Sequence, residues 1–367
     1  MRNTLPPLTF VQESLTALAG NVRLGVEGSN ASIPGDDQYH GNSGNTLTLP
    51  PLDRYGAPSR WFDVFSAGTA RGCEWKAAVG EPWLKLSTQK GVVGSKGEDT
   101  RVWVSVDWDA VPADGPSQVV TTINVTTPCR KWDNSRWGYQ EPVIEVPVDT
   151  RRVPDTFDTG FVESDGHVAI EGPHFQAMVN SSSSEATYHT FGDYGRTIGG
   201  VGLFPQNLEK LAVDEAPYLE YDMYLFTNDT LANVTLYLSP SQNYLGEHNP
   251  LEYAISLDPA GEEVPTSPTT VRPVGPPQSD SMPAGWGSAV ADAVWGLNTK
   301  TTTSSFEVGE PGHYTLRVWC LLPSIILQKV VVDLGGVRES YLGPPESFLA
   351  GRDEAGNGGW TSFADAR

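Results

Sequence analysis

Residues 101–108 read RVWVSVDW, and they alternate without a break. Val102, Val104, Val106 and Trp108 fall on one face of an extended chain, and Arg101, Trp103, Ser105 and Asp107 fall on the other. A period of two this clean fits a strand with one dry face and one wet face. It does not fit a helix, whose apolar stripe recurs every three to four residues. Further short strands are predicted at Val119 to Val125 and Val143 to Val148, with turn-forming text between them. Several short strands punctuated in this way predict a β-sandwich.

The same pattern returns after TRRVPDTF at 150–157, which reads as a boundary. Strands are expected at Phe161–Glu163, His167–Glu171, Tyr218–Phe226, Val234–Leu238, Tyr253–Leu257, Ser305–Val308, Tyr314–Cys320 and Leu327–Val332. Pro- and Gly-rich loops separate them, most clearly at 258–286. The helix-like text is confined to residues 1–20, around ESLTALAG, and residues 21–60 are dense in turn formers. The expected organisation is all-β, with two β-sandwich modules. A helix end and irregular connector occupy 1–60, an immunoglobulin-like sandwich 61–153, a jelly-roll-like sandwich 154–350, and a flexible tail 351–367. A chain of 367 residues is long enough for two such cores.

Charge narrows the function classes. The formal net charge is −21, so a phosphate backbone would be repelled and nucleic acid is not an expected partner. Apolar residues make up 38% of the chain, yet no run is long enough to span a membrane. No apolar signal segment follows Met1. The interior looks secretory nonetheless. Asn30, Asn124, Asn180, Asn228 and Asn233 each head an N-x-[ST] sequon and are glycosylation candidates. Cys73, Cys129 and Cys320 fit no metal spacing. Cys73 and Cys129 can pair within the first module, or all three can be packed thiols. A secretory interior without a secretory start reads as a chain cut from a longer one.

Catalytic signatures are absent. The chain has no G-x-S-x-G, no H-E-x-x-H, no P-loop and no dinucleotide fingerprint. Glycoside hydrolysis needs two carboxylates flanking one bond, and abundant Asp and Glu do not by themselves supply that. Asp36 and Asp37, after Pro34 and Gly35, form either a ligand-facing pair or an Asx turn. Trp103 is the most suggestive single residue. It lies on the polar face of its strand, where a flat aromatic ring can stack on a sugar or meet another domain. Trp132, Trp137 and Tyr139, in CRKWDNSRWGY, offer a second aromatic stretch with the same two readings. No cofactor is implied.

Two stretches add a family resemblance. SYLGPPES at 340–347 follows a strand that ends in Asp333, Leu334, Gly335 and Gly336. It resembles the closing signature of the C-terminal domain of glycoside hydrolase family 115, the xylan α-1,2-glucuronidases. GHVAIEGPHF, GDYGRTIGGVGLFP (read as a glycine-rich loop), APYLEYDMYLF and GHYTLRVWC are similar to the rest of that domain. RNTLPPLTF, the PGDD at Pro34 to Asp37, LPPLDRYG and WFDVFSAG resemble the family's preceding segment, and PWLKLS with RVWVSVDW resembles a BACON-type sandwich. The family carries its active site in a (β/α)₈ barrel, for which this chain has neither the βα alternation nor the roughly 250 residues. The resemblance therefore implies no catalytic residue here. It implies a non-catalytic accessory region of a secreted enzyme that removes 4-O-methyl-glucuronic acid from xylan, its signal peptide lost with the missing N-terminal part. The alternative is a free-standing secreted carbohydrate-binding protein. Implied partners are the catalytic half of the parent enzyme, a second protomer, or xylan or glucuronoxylan. Tyr341 and Glu346 are expected on a stiff loop, either offered for contact or part of a purely structural plug. The second module also resembles carbohydrate-binding jelly rolls in which a Glu-x-Glu pair holds calcium. Glu171 matches the first acid, but Pro173 stands at the second, so retention of a metal is not expected.

Overall fold

A computed structural model describes residues 21–33, 46–67, 72–93, 99–128, 141–242, 249–265, 267–275, 282–295 and 300–351. The chain divides into two compact units, residues 1–152 and 153–367. Both are β-sandwiches.

The described residues of the first unit form nine strands: β1 (Asn21–Val26), β2 (Thr46–Thr48), β3 (Arg60–Ala67), β4 (Cys73–Val79), β5 (Leu84–Leu86), β6 (Lys90–Val93), β7 (Thr100–Val106), β8 (Gln118–Thr126) and β9 (Val143–Asp149). One sheet runs β1-β3-β7-β5, the other β2-β9-β8-β4-β6. Val102 and Val104 on β7 are fully buried with Phe62 and Val64, against Trp75, Ile123 and Ile144 from the facing sheet. This is the dry face read from RVWVSVDW. The stretch read as an irregular connector supplies β1 and β2. Val22, Leu24 and Val26 alternate into the core, and β1 pairs along its length with β3. That alternation is short and flanked by turn text, so pairing reveals it where composition hides it. The helix expected in 1–20 lies outside the described residues.

The second unit carries β10 (Gly160–Val162), β11 (His167–Glu171), β12 (Ala177–Val179), β13 (Thr187–Gly192), β14 (Gly199–Phe204), β15 (Tyr218–Leu225), β16 (Thr230–Leu238), β17 (Tyr253–Pro259), β18 (Thr269–Val271), a short helix α1 (Trp286–Asp292), β19 (Thr303–Val308), β20 (Gly312–Cys320), β21 (Ile326–Asp333) and β22 (Leu349–Ala350). One sheet is ordered β18-β17-β20-β15-β10-β22, with β12 also on β15. The other is ordered β13-β14-β21-β16-β19, with β11 also on β21. Tyr188, Tyr221, Tyr253, Leu316, Val318, Val330 and Val332 fill the space between them.

Two expectations are corrected here. GDYGRTIGGVGLFP is not simply a loop, because Gly199–Phe204 is a strand that pairs with Thr187–Gly192. Its glycines depress β propensity on paper, but backbone pairing overrides them. Helix is also not confined to residues 1–20, since Trp286–Asp292 forms about two turns near the end of the Pro-rich stretch. Ala289 is its one buried residue, so no apolar periodicity announced it.

Candidate functional site

Strand β21 organises the most constrained surface of the second unit. Its register against β16 shifts between Tyr237 and Leu238, so Gln328 is an extra, bulged residue. Gln328 donates through Nε2 to Ser239 Oγ (3.0 Å) and to the Ala293 carbonyl (2.9 Å), and its Oε1 accepts the Arg196 backbone N–H (3.0 Å). The bulge thereby anchors the hairpin tip between β13 and β14. Gly195, at φ +85, makes this approach feasible, because any Cβ there would collide with the Gln328 side chain.

The next residue, Lys329, points to the outer side of the sheet yet is only 3% exposed. It pairs with Glu171, directly opposite on β11, at 2.9 Å, and donates to the Pro344 carbonyl at 2.9 Å and to that of Leu342 at 3.4 Å. Glu171 also accepts from the Thr197 hydroxyl. The carboxylate in the position compared with a calcium ligand is thus occupied by an ammonium and a hydroxyl. Among the described residues no group of three or more His, Cys, Asp or Glu is arranged to hold a metal.

SYLGPPES is therefore latched down along one side. Gly343, at φ +75, packs on the Tyr237 ring, and Ser347 exchanges hydrogen bonds with Ala169 at 2.8 and 3.0 Å. Glu346, expected to be offered for contact, keeps 29% of its side chain exposed and is also engaged within the unit. It accepts from the Glu171 backbone N–H at 2.9 Å and sits 2.8 Å from His174 Nδ1. The two prolines cannot donate to a sheet, and the Leu342 and Pro344 carbonyls accept from Lys329. Tyr341 does stand out, with 66% of its surface exposed.

Beneath Tyr341 lies a residue that sequence reading missed. The Arg196 guanidinium stacks on the Tyr341 ring, 3.9 Å from its centroid. Its Nε, Nη1 and Nη2 are all shielded from solvent and have no hydrogen-bond partner. Burial pushes the neighbouring Tyr237 hydroxyl up, and the Arg196 charge opposes that shift. A desolvated cation–π contact returns about 2 kcal/mol. Leaving several guanidinium donors dry costs more than that, since each unmade buried hydrogen bond costs about 1–3 kcal/mol. Tyr194, Ile198 and Leu342, on the same two loops, are exposed as well. The signal available in the sequence was one arginine among glycines, and its partner lies 145 positions away.

In the first unit, Trp103 is 46% exposed and pairs across the sheet with Trp61. Arg101 covers the Trp61 ring at 3.7 Å and grips Asp63 with two hydrogen bonds of 2.9 Å. That hydrogen bonding holds the Arg101 guanidinium above its usual range. The Trp103 backbone N–H donates to Ser87 Oγ. The outer face of β7 thus presents the Trp103 ring beside a Trp61 ring capped by Arg101. Trp132, Trp137, Tyr139, Asp36 and Asp37 lie outside the described residues. Asn30, Asn124, Asn180, Asn228 and Asn233 are all exposed. Cys73 is disulfide-bonded, Cys320 is free and buried, and Cys129 lies outside the described residues.

Comparison with known proteins adds the family. The model of the glycosyl hydrolase family 115 C-terminal domain matches residues 160–346, about half of the chain, and spans both loops of the β21 site. No curated protein matches. Among solved structures, the chain is similar to a family GH115 4-O-methyl-α-glucuronidase with specificity for decorated arabinogalactans, at 14% identity and a TM-score of 0.28 over 43% of this chain. It is also similar to a GH26-CBM35 β-(1,4)-mannanase from Podospora anserina, at 11% identity and a TM-score of 0.27 over 50% of this chain and 29% of that one. A third is the C-terminal CBM6 of a laminarinase from Zobellia galactanivorans, at 9% identity and a TM-score of 0.23 over 46% of this chain and 98% of that one. The chain spans 17% of the length of the GH115 enzyme. Through the domain that contains the Lys329 latch and the Arg196–Tyr341 stack, this chain belongs to glycosyl hydrolase family 115.

Proposed function

We propose that this chain is the non-catalytic C-terminal accessory region of a secreted xylan α-1,2-glucuronidase, serving domain packing, dimerisation or glycan contact. The observation that carries this reading is the family match over residues 160–346, which ends on the latched loop. The catalytic half of the enzyme or a second protomer is the protein partner, and glucuronoxylan is the polymer. Secretion agrees with five exposed sequons and with a disulfide at Cys73. Affinity electrophoresis through gels containing glucuronoxylan tests glycan contact, with retardation as the expected result. Purified chain incubated with glucuronoxylan should release no 4-O-methyl-glucuronic acid above a heat-killed control. Release would overturn the non-catalytic assignment.

A second reading, a free-standing secreted carbohydrate-binding protein, is favoured by the first unit. Trp61 and Trp103 lie side by side across two strands, with Arg101, Asp63 and Ser87 beside them. Rings of this kind stack on the C–H faces of sugars while polar neighbours take the hydroxyls. If Trp103→Ala abolishes retardation and mixing with the catalytic half restores nothing further, this second reading is the better one.

A further inference from the structure

We propose that Asn233 carries an N-linked glycan whose first sugar packs on Leu231, keeping this half of the sheet's outer face in solvent; the inference rests on the secretion reading above. Residues two apart on a strand share a face. On β16, Ala232 and Val234 are fully buried in the core, so Leu231, Asn233 and Thr235 stand together on the outer side. Leu231 is 55% exposed there. A single exposed leucine needs no explanation by itself. Its place two residues before a sequon asparagine, in the same row, is what carries the inference. The surroundings of Asn233 suit a glycan. Its Oδ1 accepts from the Ser305 hydroxyl, opposite on β19, at 2.7 Å. The nitrogen, the atom a glycan takes, stays on the other side of the amide. Asp333, opposite on β21, accepts the backbone N–H groups of Gly335 at 2.8 Å and Val337 at 3.2 Å.

The other sequons lack this arrangement. Asn228 donates through Nδ2 to Asp229 at 3.1 Å, in a turn where Asp229 adopts φ 48. Asn180 follows the exposed Met178 by two, but β12 ends at Val179, and the Thr187 hydroxyl meets both the Met178 sulfur and Asn180 Oδ1. Asn124 follows Thr122, which is polar and half-buried, and Asn30 follows Gly28. The sugar donor is an oligosaccharide diphospholipid of the secretory pathway. A bond forms between Asn233 Nδ2 and the anomeric carbon as the bond from that carbon to the diphosphate breaks. The lipid diphosphate leaves, and the nitrogen gives up one proton. Thr235 completes the acceptor motif. Leu231 lies about 7 Å along the strand from Asn233, within reach of one pyranose, whose C–H face is apolar. The other half of this outer face is roofed by the 340–347 loop. A protein partner of the second unit must then meet a different surface.

The test uses the full chain directed through a yeast secretory pathway. Peptide mass spectrometry should find Asn233 occupied. Trimming every glycan to its first sugar should leave the thermal midpoint of the second unit unchanged, while Asn233→Gln should lower it by about 2 °C. In a Leu231→Ser background the same change should have no effect, because the apolar ledge has gone. Wild-type chain stripped of the first sugar as well gives the comparison without a substitution, should Asn233→Gln fail to fold. A bare Asn233 beside occupied sequons elsewhere overturns the site and leaves secretion standing. No occupancy at any sequon overturns the site and counts against secretion too. Occupancy at Asn233 with a midpoint shift indifferent to Leu231, or an equal shift in Asn228→Gln, overturns the packing of the sugar on that side chain.

Discussion

Strands β7 and β21 both occupy central positions in their sheets, but they face different surroundings. On β7, Val102 and Val104 are sealed in while Arg101 and Trp103 meet water. On β21, six residues in a row from Leu327 to Val332 are buried, including Gln328 and Lys329. The outer face of β21 is roofed by Val294 and Val337 and by the 340–347 loop, and the loop is tied down by the lysine itself. Strand β20 shows the same habit. Arg317 is 5% exposed and joins Glu220 at 2.9 Å with Asp258 at 3.2 Å across three strands. On β7 the Arg101–Asp63 pair lies on a wet face, whereas on β21 the buried Lys329 holds a cover down. A cationic side chain inside a strand therefore has opposite meanings on the two strands, and only its partners distinguish them.

The sharpest way to break this contrast is to remove the anchor. Lys329→Ala leaves Glu171 buried beside Thr197 without its counter-ion, a loss of about 3–5 kcal/mol. Urea unfolding of the isolated second unit should show it, with faster proteolysis in 340–347. Lys329→Met combined with Glu171→Gln should recover most of the stability, because a neutral pair has no desolvation debt. If the single change is mild, the latch is not what holds the cover.

Val104→Asp applies the corresponding insult to the first unit. It puts an unpaired charge in a dry core and should cost about 3 kcal/mol or more. A neutral result in a thermal melt would mean that the strand faces are inverted.

The interiors can also be told apart by alkali. Burial pushes the Cys320 thiol up to about 12, with Tyr188 Oη hydrogen-bonded to the Cys320 backbone N–H. Above the ordinary thiol range the unfolded chain releases this proton and the folded chain keeps it. The folded state then binds more protons, and stability falls as pH rises toward 12. The slope is at most about 1.4 kcal/mol per pH unit for this group. Tyr188, Tyr221 and Tyr253, also raised by burial, add the same sign at higher pH. Cys320→Ala should flatten the first part of the decline in the second unit and leave the first unit, whose Cys73 is disulfide-bonded, unaffected.

The smallest effect is expected from Trp103→Ala, below about 1 kcal/mol, since nearly half of the ring is already in water. A loss of several kcal/mol would mean that another surface covers the ring in solution.

The sequence by itself determined that the chain is a pair of β-sandwiches and which face of β7 is dry. Both follow from alternation, a local property that survives wherever one side of a strand meets solvent. It also carried the family, because SYLGPPES and the Gly-rich text around Arg196 are contiguous strings. What it could not carry were the contacts between those strings. Lys329 and Gln328 looked like breaks in an apolar run, and Glu346 looked like an offered carboxylate. Arg196 was not singled out from its Gly-rich stretch. Their roles depend on a bulge in β21 and on a register that sets Glu171 against Lys329. Which polar groups are buried is decided by partners from 13 to 175 positions away, and no local pattern encodes contacts of that kind.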